Sequence, residues 1–452
     1  MREIQSGRIT TATMALFALP QIPQGFALLP VINYVPGFYS DQLGLPLAMV
    51  GLMLVLSRIT DIITDPIIGT WSDRSTSRFG RRKPFIVAGI PMMMISAWFV
   101  FVPPEGVGTA YLFWGLFFLY LGFTFVTIPY SSWGAELSSD YDERSRLTAI
   151  RGAFGSFGSL LTLSIPVILQ AMGYPDLAVA MLVMAVLFII LQPLFFAFTI
   201  SNIPDRAGLI VETPALNSRE KLGVILKNSV FMRLLAAILL MIIGMAVGAT
   251  LNMIIFTHIA KQPSYFAPSV FVQNVFAIAA IPIWLKIAAR MGKHRAMALA
   301  MLLIGACSAA TFLVGEGDGL LLAACLVGVG VGMGAVLFLI SAMIADLVDR
   351  DVLETGEERT GTYMAAASMA TKIAAVFGVL VGTAVPGIAG FQPSDAVHSE
   401  NALLVLRLVY SFTGVPLILI GSYLLWHYPL TREIQAMLRQ RIDDLRAKSA
   451  AS

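Results

Sequence analysis

Three ionisable residues, Arg58, Asp61 and Asp65, stand three and four positions apart inside LPLAMVGLMLVLSRITDIITDPIIGTW, a run otherwise apolar enough to cross a bilayer. At helical spacing they share one stripe, so one face holds a cation and two anions while the rest meets lipid or other helices. An ionised side chain near mid-membrane costs on the order of 3 kcal/mol by insertion scales, so such residues face a cavity and handle ions or solute. A structural Arg58–Asp61 ion pair is the competing reading. It leaves Asp65 without an assigned role.

Few other ionisable residues fall well inside apolar spans. Arg151 opens a Gly152-x-x-Gly155-x-x-Gly158 series whose small residues would let a neighbouring helix approach. Lys372 lies 13 residues beyond Arg359, near mid-membrane at 1.5 Å per residue, where snorkelling is difficult. Arg407 is close enough to a span end to snorkel. Tyr120, Thr124, Thr127 and Ser131 recur at four, three and four residues and present a polar face, part of which is expected to bond back to its own helix. Pro20, Gln21, Pro23, Gln24 and Gly25 should kink the first span and leave carbonyls and amides for a cavity. Gly328, Gly330, Gly332 and Gly334 lie within a span with no strand before them. They read as a helix-packing surface and not as a nucleotide loop.

The elements that position these residues are membrane helices. The chain has 452 residues, of which 57% are hydrophobic and only 13% charged, which excludes an ordinary soluble globular protein. Twelve apolar stretches of bilayer-spanning length run from residue 12 to residue 427, the eighth covering about 265 to 289. The alternating segments of an outer-membrane barrel are absent from the sequence. The first stretch is too long for a signal-peptide core and is read as a retained helix. Arg74, Arg78, Arg81, Arg82 and Lys83, then Arg144 and Arg146, then Arg206, Arg219, Lys221 and Lys227, then Arg290, Lys293 and Arg295, follow the even-numbered spans. Only Lys261 falls in the alternate loops, so both termini are expected in the cytoplasm, in a bacterial inner membrane. Cys307 and Cys325 fall within spans and read as packing residues, and the four histidines are too scattered for a zinc site.

The long polar stretch at 201–229 divides the chain into a six-helix half at 1–200 and another at 230–428, with a cytoplasmic tail at 429–452. The halves repeat a grammar. Spans two and eight end in basic turns, RFGRRK and KIAARMGKHRA. Span four exits through Glu136 and Asp140 into Glu143-Arg144, and span ten through Asp346 and Asp349 into Glu358-Arg359. The grammar resembles an all-α major facilitator architecture of twelve transmembrane helices in two pseudo-symmetric halves, for which alternating access is expected. Asp73, Arg74, Glu136, Arg144, Asp346 and Arg359 are candidate gating residues, in ion pairs of order 1 kcal/mol each that break on opening.

Arg58-x-x-Asp61-x-x-Thr64-Asp65-Pro66, the RFGRRKPF turn, Ile128-Pro129-Tyr130 leading to Glu136, the DYDERSRLTAIR loop and TGEERTGTYMAAASMATK together resemble the glycoside-pentoside-hexuronide:cation symporter family, of which melibiose permease is a member. The resemblance covers nearly the whole chain. It implies a coupling-cation site of Asp61, Asp65 and Thr124 with Thr64 beside it, the ion being Na+ or H+ and no other cofactor being required. Hard oxygens suit sodium, and a carboxylate of raised pKa suits a proton. It also implies that Arg151 and Lys372 bind solute or link it to the cation. Tyr120, Thr127, Gln24 and Arg58 complete the candidate solute site. The places that match the family's sugar-binding carboxylates hold Gly25 and Thr127, and Ser131 stands in place of a stacking Trp. This shifts the balance positive and favours an anionic solute such as a hexuronide.

The resulting expectation is a cation-coupled symporter of a sugar-like or anionic organic solute. A sodium-coupled lysophospholipid transporter is the alternative. No catalytic constellation or sizeable soluble domain points to an enzyme. The expected partners are a small solute and membrane lipid, with no nucleic acid, and the chain is expected to act as a monomer.

Overall fold

The computed structural model describes residues 9–205, 227–355 and 360–430, apart from 76, 78, 138–140 and 396, together with 434 and 437. Among them, regular structure is helical throughout. Eleven helices are long and apolar enough to cross a membrane, and a twelfth span is a pair, Pro263–Ala279 and Ile281–Met291, bent by 43°. The bend falls in the eighth apolar stretch. Pro282, which lacks an N–H, begins its second arm and accounts for the break.

The chain divides into two compact units, one of residues 1–211 with 390–398, the other of residues 212–389 with 399–452. In the first unit α1 (Thr11–Ala18) and α2 (Gln21–Asn33) form one broken span, followed by α3 (Leu47–Asp73), α4 (Lys83–Phe101), α5 (Thr109–Glu136), α6 (Tyr141–Ala171) and α7 (Leu177–Asn202). Residues 390–398 join this unit through Gln392, whose Oε1 accepts a hydrogen bond from the Leu47 N–H at the start of α3 (3.3 Å).

On α3 the usual arrangement of a soluble helix is inverted. Ser57 and Asp61 are buried while Ile63, Ile67 and Trp71 are 62%, 57% and 59% exposed, a face suited to lipid. Pro66 lies within this helix, one residue after Asp65.

The break between α1 and α2 follows from Pro20, which has no N–H to offer the Leu16 carbonyl. The Thr199 hydroxyl on α7 donates to that carbonyl instead (2.9 Å), and the Tyr130 hydroxyl on α5 donates to the Phe17 carbonyl in the last turn of α1. The kink expected from the prolines is therefore present. Its carbonyls at 16 and 17 are engaged by hydroxyls from neighbouring helices.

Of the glycine series on α6 only Gly158 brings a neighbour close. A Cβ there would sit 2.2 Å from the Ile22 carbonyl oxygen, and one on Gly25 would sit 3.0 Å from the Gly158 backbone. Gly152 has nothing within 4 Å of the same position. Gly25 is thus a packing position between α2 and α6.

The second unit comprises α8 (Ser229–His258), α9 (Phe266–Ala279), α10 (Ile281–Met291), α11 (Lys293–Ala310), α12 (Gly319–Thr355), α13 (Thr360–Ile388), α14 (Glu400–Phe412) and α15 (Gly414–Trp426). Its core gathers Phe231, Ile238, Met241, Met301, Ile304, Leu339 and Met343. The α12 glycines alternate between two neighbours, because residues two apart on a helix point in nearly opposite directions. Cβ atoms on Gly328 and Gly332 would meet Cys307 Sγ (2.4 Å) and Ile304 Cγ1 (2.5 Å) on α11. Those on Gly330 and Gly334 would meet the Gln273 and Ala277 carbonyls on α9 (2.2 and 2.5 Å). The stretch is a packing surface for two helices at once.

The two ends of the α6 series give a direct comparison. Gly158→Ala should cost roughly 1 to 3 kcal/mol through overpacking and lower the melting temperature of the purified protein, whereas Gly152→Ala should leave it unchanged or slightly raised. Equal melting curves for the two variants would contradict the close α2–α6 contact.

Candidate ion and solute sites

The charged stripe of α3 faces α5. Arg58 Nη1 donates to Asp61 Oδ2 at 2.9 Å, with Asp61 2% and Arg58 22% exposed. The Arg58 guanidinium carbon also lies 4.2 Å from the centre of the buried Tyr120 ring, so the cation is held by a carboxylate and an aromatic face. One turn further along, the Thr124 hydroxyl donates to Asp65 Oδ1 at 2.9 Å. The Thr64 hydroxyl oxygen is buried and has no hydrogen-bond partner among the described residues. The ion pair and the grouped oxygens, posed as alternatives by the sequence, occur together. One arginine faces two carboxylates, which leaves the cluster one unit negative when all three are ionised.

Arg151 occupies a second site, on α6 against α5. Its guanidinium carbon is 4.6 Å from the Tyr130 ring centre and 5.9 Å from that of Phe17, and Nη2 donates to Ser131 Oγ at 3.2 Å. No carboxylate pairs with it among the described residues. Gly134 makes room for the Phe17 ring and for Arg151 together, since a Cβ there would lie 2.9 Å from Phe17 Cε1 and 3.3 Å from Nη1.

The Thr127 hydroxyl bonds back to the Phe123 carbonyl (2.8 Å). Gln24 is 9% exposed on α2, with its amide oxygen unmet among the described residues. Lys372 is half-buried on α13, in the second unit.

At the opposite end of α3 the ion pairs centre on Arg82, which is 3% exposed. It reaches Asp73 (2.5 Å), Glu136 (2.5 Å) and the Ser72 hydroxyl (2.8 Å), and Arg81 approaches Asp73 at 3.5 Å. Arg74, the sequence neighbour of Asp73, instead lines a shallow surface groove with Pro66, Ile67, Thr70 and Trp71. Burial works to lower the Arg82 pKa, but hydrogen bonds and charges from Glu136 and Asp73 outweigh it and hold the group above its ordinary value. Asp205 fixes the turn below: its Oδ2 accepts the Arg82 and Lys83 backbone N–H groups (2.7 and 3.2 Å) at the start of α4. Gly80, at φ 107°, is required here, because a Cβ would come within 2.3 Å of that same oxygen.

The second unit repeats the device with other residues. Lys293, at the start of α11, donates to both oxygens of Asp346 on α12 (2.7 and 2.6 Å), and Asp346 is 3% exposed. The side chain of Arg144 and the whole of Arg359 lie outside the described residues. Sequence reasoning missed Arg82, Lys293, Asp205 and Gly134 as individuals. The first two were visible only as members of basic clusters, and Asp205 is 123 positions from the N–H it caps.

The profile described as MFS/sugar transport protein matches residues 16–432. The chain belongs to this family. It is therefore a multi-pass membrane transporter of the major facilitator fold, and not an enzyme. The MFS/sugar transport chain is 25% identical to the glucuronide carrier protein homolog of Escherichia coli strain K12, over 94% of this chain and 93% of that one. It is 23% identical to the sodium-dependent lysophosphatidylcholine symporter 1 of Gallus gallus, over 89% and 83%. Among solved structures it is similar in fold to a bacterial homolog of the human lysosomal transporter Spinster, with a TM-score of 0.66 at 13% identity, covering 94% of this chain and 100% of that one.

Lys293→Met should destabilise this family member by about 3 kcal/mol, because it removes the cation that meets both oxygens of a buried carboxylate. Pairing it with Asp346→Leu should recover most of the loss. Denaturation of the purified single and double variants checks this, and a double variant no more stable than the single would refute it.

Proposed function

We propose that this transporter is a symporter that couples entry of one monovalent cation to entry of an anionic, sugar-like solute. The observation that carries this reading is the charge of the α3 cluster. Within the trio of Arg58, Asp61 and Asp65 one cation stands against two carboxylates, so a single added positive charge brings the three to neutrality. A neutral site suits movement through a low-dielectric interior better than a charged one. The ion we favour is Na+, because the Thr64 oxygen, unmet among the described residues, and the Thr124 hydroxyl add hard oxygen ligands that a proton does not need.

Arg151 supports an anionic solute. It is a cation in a membrane span with no carboxylate partner among the described residues, a state that an acidic ligand relieves. The similarity to a protein named as a glucuronide carrier homolog is in keeping with a hexuronide. Asp61, Asp65, Thr64 and Thr124 then take the cation. Arg151 takes the solute's acidic group, with Lys372, Thr127, Tyr120, Gln24 and Arg58 as further members of the solute path. Arg82 with Asp73 and Glu136, and Lys293 with Asp346, serve as latches at the cytoplasmic end that break and re-form in alternating access. The clustering of basic residues after even-numbered spans supports cytoplasmic termini and a bacterial inner-membrane location.

Reconstituted protein should accumulate a labelled glucuronide under an inward Na+ gradient. Arg151→Gln should abolish that uptake, Asp65→Asn should uncouple it from the gradient, and Thr124→Val should weaken Na+ affinity about tenfold, the worth of one hydrogen bond to a charged group. Normal uptake by Arg151→Gln would sink the anionic reading, and accumulation driven only by a pH gradient would replace Na+ by H+. Competition by lysophosphatidylcholine but not by acidic sugars would transfer the assignment to lysolipid transport.

A further inference from the structure

Resting on the reading of an anionic solute, the surroundings of Arg151 assign a role to a residue that is not itself a charge partner. Tyr130 is held at both ends. Its hydroxyl donates to the Phe17 carbonyl beside the break in the first span. Its ring stacks on Phe17 (4.6 Å, 16°) and receives the edge of Phe196 from α7 (5.4 Å, 76°). Phe17 is in turn braced by the Trp133 edge (5.2 Å, 85°). These four aromatic side chains are almost wholly buried and leave the Tyr130 ring no room to turn.

The Arg151 guanidinium rests against this ring, with Nη1 over Gly134 and Nη2 on the Ser131 hydroxyl. Its Nε is buried with no hydrogen-bond partner among the described residues. A guanidinium takes a carboxylate through two parallel N–H groups, and Nη1 with Nη2 makes one such fork. Nη2 bonds an exposed serine and the Tyr130 hydroxyl also bears on the guanidinium, while Nε is sealed from the surface. A long flexible side chain would ordinarily turn such a group toward another acceptor, and the aromatic support prevents this at little further entropic cost.

We propose that Tyr130 is the positioning residue of the solute site: it fixes the Arg151 guanidinium so that its Nη end, with Nη2 beside the exposed Ser131 hydroxyl, is presented to the carboxylate of the incoming solute, and Gly134 supplies the space that permits this pose. Because a rigid donor pair favours the planar acid over a neutral group of the same size, Tyr130 sets selectivity for acid over alcohol without touching the solute.

The test compares 4-nitrophenyl β-D-glucuronide with 4-nitrophenyl β-D-glucoside, which differ at one carbon as carboxylate against hydroxymethyl, in proteoliposome uptake. Tyr130→Leu should raise KM for the glucuronide about tenfold while the maximal rate changes less than about twofold, and should leave half-inhibition by the glucoside in place. Tyr130→Trp, which restores an aromatic face, should recover KM to within about threefold. Gly134→Ala should raise the glucuronide KM as Tyr130→Leu does, which keeps the proposal testable if the leucine variant does not fold. An unchanged glucuronide KM in both Tyr130→Leu and Gly134→Ala, or equal weakening for the two sugars, would overturn the positioning role while leaving the anionic reading intact. Failure of the unsubstituted protein to take up or bind the glucuronide would overturn the anionic reading itself, and the positioning role with it.

Discussion

Inside a bilayer a polar group that lacks a protein partner has no water to turn to, and the first unit is organised around this constraint. Pro20 removes one backbone donor, and hydroxyls arrive from α5 and α7 to serve the carbonyls at the break. Those hydroxyls fix Tyr130 and Thr199, and Tyr130 in turn carries the Arg151 guanidinium. The same rule brings Tyr120 and Asp61 around Arg58, and Thr124 to Asp65. Packing between the helices follows from these commitments, because Gly25 and Gly158 must let α2 and α6 close to backbone contact around the kink.

The two units solve the same problem with different chemistry at their matching ends. In the first, one arginine gathers two carboxylates and a serine, and its turn is pinned by Asp205. In the second, one lysine meets a single carboxylate with both oxygens. Arginine's fork can serve several acceptors at fixed angles, while lysine is a point charge that is satisfied by one compact partner. The pseudo-repeat of the sequence is thus a repeat of position and charge and not of residue identity. The richer, more branched arrangement belongs to the unit that also contains the α3 cluster.

Much of this was legible in the sequence, because membrane spans announce themselves by length and apolarity and because ionisable residues within them are rare. The twelve stretches, the α3 stripe and the glycine-rich face of α12 could all be read from local pattern. Which member of a basic cluster matters could not. Arg74 and Arg82 are equally plausible partners for Asp73 in one dimension, and only the turn between α3 and α4 brings Arg82 round and leaves Arg74 on the groove beside Thr70 and Trp71. Gly25 looked like a vacated pocket position, because a missing side chain in sequence does not say whether the space is open or filled by another backbone. The prolines of the first span predicted orphaned carbonyls correctly, but the hydroxyls that meet them come from more than a hundred residues away.

Pro66 gives the α3 cluster a mechanical dimension. Lacking an N–H, it leaves the carbonyl four residues earlier without its helical donor, so the helix can flex just below Asp65 without breaking a backbone hydrogen bond. Asp73 lies eight residues beyond Asp65, about 12 Å along the axis at 1.5 Å per residue. A bend of about 10° at Pro66 therefore swings Asp73 sideways by about 2 Å, enough to part it from a hydrogen-bonding partner. The lower arm of α3 is a lever, with its fulcrum beside the carboxylates and its load on the Arg82 guanidinium.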